Sequence, residues 1–143
     1  MALNEEHIML YRELHLLQDI LSNIVFLWLC FEDDKNKKNS LPFDFFHKVP
    51  KLFSLIVQKC FGLKEIFPSQ KPQVHERGLV GLKDLLLIDL KKLECVGLEH
   101  PWVQSYSEKL ERLKLEKCPL LQKIVSCAAP FINLRDLDVK LCV

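Results

Sequence analysis

The sequence lacks the features that mark a membrane span, a secreted domain or a nucleic-acid binder. Its longest apolar stretch, Ile24 to Phe31, is far shorter than the about 20 residues that cross a bilayer. The N-terminus has no basic start followed by an apolar segment, as a secretory signal would. Lys and Arg number 20 against 19 Asp and Glu, so no basic excess offers a surface for phosphates. We expect a soluble cytoplasmic protein with neither a nucleic-acid nor a membrane partner.

Catalytic motifs are also missing. The chain has only four glycines and contains no G-x-x-x-x-G-K-(S/T), G-x-G-x-x-G or G-x-S-x-G element. His75-Glu76 begins like a zinc-protease motif, but Leu79 stands where the second histidine is needed. The five histidines are scattered, and no nucleophile or positioned carboxylate recurs beside them. We therefore expect no catalytic residue, no metal site, no cofactor and no enzymatic activity.

One spacing of apolar residues recurs several times along the sequence. Three units, beginning at Leu52, Leu82 and Leu110, follow the template L-x-x-L-x-L-x-x-(C/L)-x-x-L-x-x-(I/V). Another unit begins at Leu134, and Ile24 opens an earlier one. With 49% apolar residues, filling all 18 template positions of the three units by chance has odds of roughly one in a few hundred thousand. The repeat is therefore not a product of composition.

The template predicts a short strand followed by a return across the core. Two apolar residues spaced two apart point to the same side of a strand. The residues expected to face one core in this way are Leu55 and Val57, Leu85 and Leu87, Leu113 and Leu115, and Leu137 and Val139. The spacing then changes to three, which indicates a helical or 3₁₀-like return path.

No unit can bury its own apolar side, so the units must stack. We predict an α/β leucine-rich repeat solenoid, with short parallel strands on a concave face and irregular or short helical return segments on the convex face. It forms one domain over residues 1–143, with units starting near 24, 52, 82, 110 and 134. The outermost strands, near Leu27 and Leu137, are expected to have no outward neighbour, which predicts self-association or poor solubility of the chain alone.

The six cysteines do not form a metal or disulfide pattern, because none stands in C-x-x-C and no histidine lies at ligand spacing. Cys60, Cys118 and Cys142 occupy the same template position, directly after the strand. A small, weakly polar side chain there can lie under the turn and contact its backbone. We expect these cysteines to be structural.

The residues between the inward leucines must point outward, because strand side chains alternate. The expected central column is Trp28, Ile56, Leu86, Lys114 and Asp138, and its neighbours include Phe26 and Ile88. The first three strands thus expose an apolar cluster, and the last two expose charges. Exposed apolar surface with a polar border usually marks a contact site. The candidate partner-binding residues are Phe26, Trp28, Ile56, Leu86, Ile88, Lys114 and Asp138, with Lys114 and Asp138 expected to tune specificity.

Two segments, 109–125 and 51–67, resemble the C-terminal repeats of plant intracellular nucleotide-binding leucine-rich-repeat immune receptors of the coiled-coil class. Those repeats carry a Cys-Pro or C-x-x-L step followed by K-x-I-V or K-E-I-F, as at Cys118-Pro119 and at 64–67. The resemblance covers about residues 24 to 143. It implies a module of disease resistance that recognises a pathogen effector or host protein, or that restrains the receptor's own nucleotide-binding domain.

The sequence leaves alternatives open. The apolar cluster could instead be covered by the charged loop after Cys30 or by another domain of the receptor. Substrate adaptors of the F-box type also use L-x-x-L-x-L-x-x-C, although they tend to follow the Cys with I-T-D and a glycine, which are absent here. Both ends look like incomplete repeat units. Leu3 aligns with Leu29 at an offset of 26 residues, and the last unit breaks off after Cys142. We expect a fragment of a longer receptor.

Overall fold

Six parallel strands in one sheet form the structure, a computed structural model that describes residues 2–3, 22–30, 49–67, 81–98, 103, 108–122 and 133–140. In chain order they are β1 (Ala2–Leu3), β2 (Phe26–Cys30), β3 (Ser54–Gln58), β4 (Asp84–Ile88), β5 (Arg112–Glu116) and β6 (Asp136–Lys140), and the sheet keeps that order. Parallel strands that are neighbours both in sequence and in space require every connection to return across the core. The predicted leucine-rich repeat solenoid is confirmed.

The register follows the sequence template residue by residue. Leu27, Leu55, Leu85, Leu113 and Leu137 are successive partners across β2 to β6. At the other end of the sheet Leu3 pairs with Leu29. The strand that the offset of 26 residues indicated is therefore present. The expectation that β2 would be the outermost strand is wrong, because β1 pairs with Trp28 and Leu29 on it.

The inward positions of β2 to β5 form the core, as the alternation predicts. The fully buried strand residues are Leu27, Leu29, Leu55, Val57, Leu85, Leu87, Leu113 and Leu115. They pack with return-segment residues such as Ile66, Leu90 and Val96 in one cluster. The core is therefore continuous through the described units.

The sixth strand departs from the prediction. Leu137 and Val139 lie in register with the buried Leu113 and Leu115, yet they are 56% and 44% exposed. The physical reason is that, among the strands that the structure describes, β6 is the outermost and pairs only with β5. Stacking buries an inward leucine from both sides, and within the described residues β6 is stacked on one side alone.

The return segments begin with a single turn and then extend. Leu63 N–H donates to the Cys60 carbonyl over 3.2 Å, which is an i to i+3 bond, and the same turn recurs in the next units. The chain then runs parallel to its neighbouring unit, with a bridge between Glu65 and Cys95 and a 3.0 Å bond from Phe67 N–H to the Val96 carbonyl. In the described residues that follow this turn the backbone is extended, because backbones of adjacent units satisfy each other's polar groups.

Several expectations fall on residues outside the described ranges, namely the helical spacing of Ile8 to Leu21, the template residue Ile124 and the third cysteine, Cys142. Within the described ranges, no helix is long and apolar enough to cross a membrane.

Each of the strands β3, β4 and β5 is followed directly by a residue in the left-handed backbone region. Lys59, Asp89 and Lys117 have φ of 54°, 53° and 55°. Their N–H groups donate to the last carbonyl of the next strand, as from Lys117 to Lys140 over 3.0 Å. A left-handed residue other than glycine costs roughly 1 kcal/mol. Here the left-handed residue adds one hydrogen bond to the ladder between adjacent strands. It also directs the side chain of the following Cys or Leu toward the core.

Candidate protein-binding face

The sheet has one face against the core and an open face, which consists of the side chains between and beside the inward residues. The predicted central column is present: Trp28, Ile56, Leu86, Lys114 and Asp138 are successive partners in the register. Two flanking columns accompany it, from Phe26 to Asp136 and from Cys30 to Lys140. The parallel ladder thus brings all seven sequence-predicted residues onto one surface.

The apolar cluster of the open face lies on β2, β3 and β4 and consists of Phe26, Trp28, Ile56, Leu86 and Ile88. Phe26 and Trp28 are exposed, and the three aliphatic residues are half-buried. Trp28 is the register partner of Ile56, which is the partner of Leu86. The cluster is contiguous, and its members are not needed in the core, which lies on the opposite face.

The charged side chains on β5 and β6 are paired with one another. Lys114 Nζ lies 3.2 Å from Glu116 Oε2, and Lys140 Nζ lies 3.0 Å from Asp138 Oδ2. The hydrogen bond that Lys140 donates to the Asp138 carboxylate, together with the negative charge of that carboxylate, raises the pKa of Lys140 above its ordinary value. The charged part of the face is therefore neutralised internally.

This pairing bears on the two charges predicted to tune specificity. The structure places Lys114 beside Asp138 in the register, yet each makes its ion pair within its own strand. A partner that used either charge would have to compete with a neighbour about 3 Å away, and exposed pairs are worth only some tenths of a kcal/mol.

A second row of residues, which the repeat template did not predict, borders the open face. It precedes the strands and is joined by backbone bonds from one unit to the next, as from Phe53 N–H to the Val25 carbonyl over 2.7 Å and from Lys83 N–H to the Phe53 carbonyl over 2.9 Å. Val25 and Phe53 are both exposed. We call them the edge pair.

This second row changes from apolar to charged residues along the sheet, as the open face does. Its first two members are apolar, and its next members, Lys83 and Glu111, are charged and lie 3.4 Å apart. Lys83 Nζ also lies 5.4 Å from the centre of the Phe53 ring, within the range of a cation–π contact. The signal in the sequence was an apolar residue at a template position marked x, where a solvated side chain is expected.

The cysteines at the recurring template position contact backbone carbonyl groups. Cys60 Sγ lies 3.7 Å from the Leu29 carbonyl of the preceding unit and 3.5 Å from the Gln58 carbonyl. Cys118 repeats these contacts with Leu87 and Glu116. The expected structural role is confirmed for both. The part of the chain that the structure describes contains no group of His, Cys, Asp and Glu that could hold a metal ion.

Comparisons with known proteins agree with this architecture. The chain matches the family described as plant disease resistance protein RPS2-like, leucine-rich repeats, over residues 3–143. No curated protein matches it significantly. A solved leucine-rich repeat domain, that of the type III effector XopL, is similar in fold with a TM-score of 0.56 and 22% identity. The match covers 88% of this chain and 39% of the XopL chain. At this sequence identity it supports a similar fold alone. The chain therefore belongs to the leucine-rich repeats of the RPS2-like plant disease resistance proteins.

Proposed function

We propose that this chain is the partner-binding module of a cytoplasmic plant immune receptor, and that its apolar cluster and edge pair form the contact surface. The partner is a pathogen effector, a host protein or the receptor's own nucleotide-binding domain. The family match supports the receptor setting over an F-box-type adaptor. Leucine-rich repeats are generally interaction modules without catalysis, and the described residues present a surface and not a reaction centre.

The observation that carries the proposal is the separation of apolar and charged residues along the sheet. Trp28, Ile56 and Leu86 are held in one line by the ladder, whereas the charges of β5 and β6 are already paired. Binding energy in protein interfaces is concentrated in a few buried anchors, with Trp enriched among them. A rigid sheet also orders these side chains before binding, which lowers the entropy lost on association.

The test places these repeats in a full receptor and compares three substitutions, Trp28→Ala, Ile56→Ala and Leu86→Ala, at equal protein levels. Partner binding and basal activation are both measured. Leu120→Ala is the matched control, because Leu120 is an exposed leucine that lies off the open face in the turn after β5. We expect a loss of at least about tenfold in partner affinity for Trp28→Ala, as for an interface anchor, and no change for the control.

The two readouts separate the possible partners. Increased basal activation without the effector means that the face contacts the receptor's own switch domain, because removing an inhibitory contact releases it. Loss of effector or host-protein binding at normal basal activity means that the face acts on an external partner. If the three open-face variants match the Leu120 control in both readouts, the apolar cluster is not the binding site.

A further inference from the structure

We propose that Asp84 selects protein partners that present a basic side chain, arginine or lysine, among the apolar residues that cover the apolar cluster. The inference rests on the proposed function, since it assigns the partner's chemistry at the same contact surface. Asp84 is half-buried at the start of β4, on the open face with Leu86. Its N–H donates to the Phe53 carbonyl over 3.1 Å. Asp84 therefore lies between the edge pair and the apolar cluster.

Asp84 differs from the other charged residues of the open face in having no partner. Within the described strands, seven side chains of this face are charged, four of them acidic and three basic, and all lie on β4, β5 and β6. Six of them form the ion pairs Arg112–Asp136, Lys114–Glu116 and Asp138–Lys140. The seventh is Asp84, whose carboxylate makes no ion pair or hydrogen bond with any residue in the described ranges. The open face thus has one excess negative charge.

Arg112 does not remove this excess. It is the register partner of both Asp84 and Asp136, and its Nε lies 3.6 Å from Asp136 Oδ2. One guanidinium thus lies between two carboxylates, and turning it toward Asp84 would leave Asp136 without its cation. Lys83 is engaged as well, because its Nζ lies 3.4 Å from Glu111 Oε1. The row from Asp84 to Asp136 therefore carries one negative charge in either arrangement of Arg112.

A partner that covers the apolar cluster also covers this carboxylate. Residues two apart on a strand are separated by about 7 Å, so Asp84 lies one side-chain length from Leu86. A carboxylate that loses its water without gaining an opposite charge or a hydrogen bond is unfavourable. A purely apolar or acidic partner surface is therefore disfavoured here, and a cation at this point gives both affinity and specificity.

The side of Asp84 that faces β3 leaves room for such a cation. Its register partner there is Ser54, whose own partner on β2 is Phe26. Since serine is small, Phe26 and Asp84 lie about 10 Å apart across a low floor, which we call the Ser54 notch. Arginine and lysine each carry an apolar stem and a charged head. In this notch the stem packs against Phe26, and the head meets the Asp84 carboxylate.

The experiment uses a phage-displayed library of random peptides, selected on the 143-residue chain. Peptides that lose binding to the Trp28→Ala chain are retained, because they contact the surface of the proposed function. We expect the retained peptides to carry an arginine or lysine beside apolar residues. Asp84→Asn, which keeps the shape and removes the charge, should weaken their binding by about tenfold. Glu116→Gln is the matched control, because this half-buried carboxylate of the same face is paired with Lys114, and it should change affinity by less than about threefold.

A double-mutant cycle identifies the charge pair itself. Replacing the basic residue of a retained peptide by glutamine should also weaken binding by about tenfold, and combining this change with Asp84→Asn should add little further loss. Added sodium chloride should weaken binding to the original chain more than to the Asp84→Asn chain, because salt screens the charge pair. Losses that simply add in the cycle would contradict a contact between the two groups.

Filling the notch tests the geometry. Ser54→Leu should weaken the same peptides by about tenfold while the circular dichroism stays unchanged, because Ser54 lies on the open face and not in the core. Undiminished binding to the Ser54→Leu chain would contradict the notch.

The outcomes distinguish this inference from the proposed function. If no selected peptide depends on Trp28, the apolar cluster is not a binding surface, and both proposals fall. If peptides depend on Trp28 but carry no basic residue, or bind the Asp84→Asn chain as tightly as the original, the proposed function stands and the role of Asp84 is overturned.

Discussion

Two leucines at the same template position should differ greatly in what they contribute to stability. Leu113 and Leu137 are register partners on neighbouring strands, but Leu113 is 0% exposed and Leu137 is 56% exposed. Both can be changed to alanine, so side-chain chemistry and strand position are matched. The comparison isolates the effect of side-chain burial on stability, because no described strand covers the outer side of β6.

The magnitudes follow from the atoms removed. Leu→Ala deletes three carbons, which is worth about 2.4 kcal/mol of transfer free energy at about 0.8 kcal/mol for each buried group. At Leu113 a cavity remains enclosed by the core, so the total cost is about 3 to 5 kcal/mol. At Leu137 less than half of the side chain is buried and no closed cavity forms, so the cost is about 1 kcal/mol.

The measurement is urea unfolding followed by far-ultraviolet circular dichroism, at concentrations low enough for the chain to be monomeric. Lys114→Ala serves as the control on the outward side of β5 and should cost less than about 1 kcal/mol, since it loses only a pair with Glu116. Equal losses at Leu113 and Leu137 in the monomer would show that β6 is covered in solution. Equal losses at Leu113 and Lys114 would refute the alternation of the strand.

Three further outcomes are expected. Cys118→Ala should destabilise the fold by about 1 to 2 kcal/mol in the same assay, because it removes a buried thiol that contacts the carbonyls of two strands. Lys117→Gly should stabilise by several tenths of a kcal/mol and Lys117→Val should destabilise by about 1 to 2 kcal/mol, because φ there is 55°; the reverse order would contradict the left-handed assignment. In the full receptor, Lys114→Ala and Asp138→Asn should each change partner affinity by no more than about fivefold, since both charges are already paired; surface plasmon resonance that shows either one exceeding Trp28→Ala would reassign the anchors.

The spacing of the repeat was sufficient to predict which residues lie side by side on the open face. Trp28, Ile56 and Leu86 could be placed on one line because each occupies the same step of a periodic template, and parallel strands in register align equal steps. Val25 and Phe53 border that surface, and the spacing did not predict them. They precede the strands, where the template does not say which way a side chain points, and only the backbone bond between them shows that they are neighbours.

The sequence by itself determined the repeat, the strand positions, their register and the identity of the core leucines, because a spacing of two or three residues dictates the side of the chain on which a side chain lies. Only the tertiary structure decided which of those leucines are covered, as the contrast of Leu113 with Leu137 shows. It also decided that Lys114 and Asp138 are paired within their strands, and that the described return residues around Glu65 and Cys95 are extended. These features depend on atoms of neighbouring units that approach within a few ångströms, and the spacing inside one unit carries no information about them.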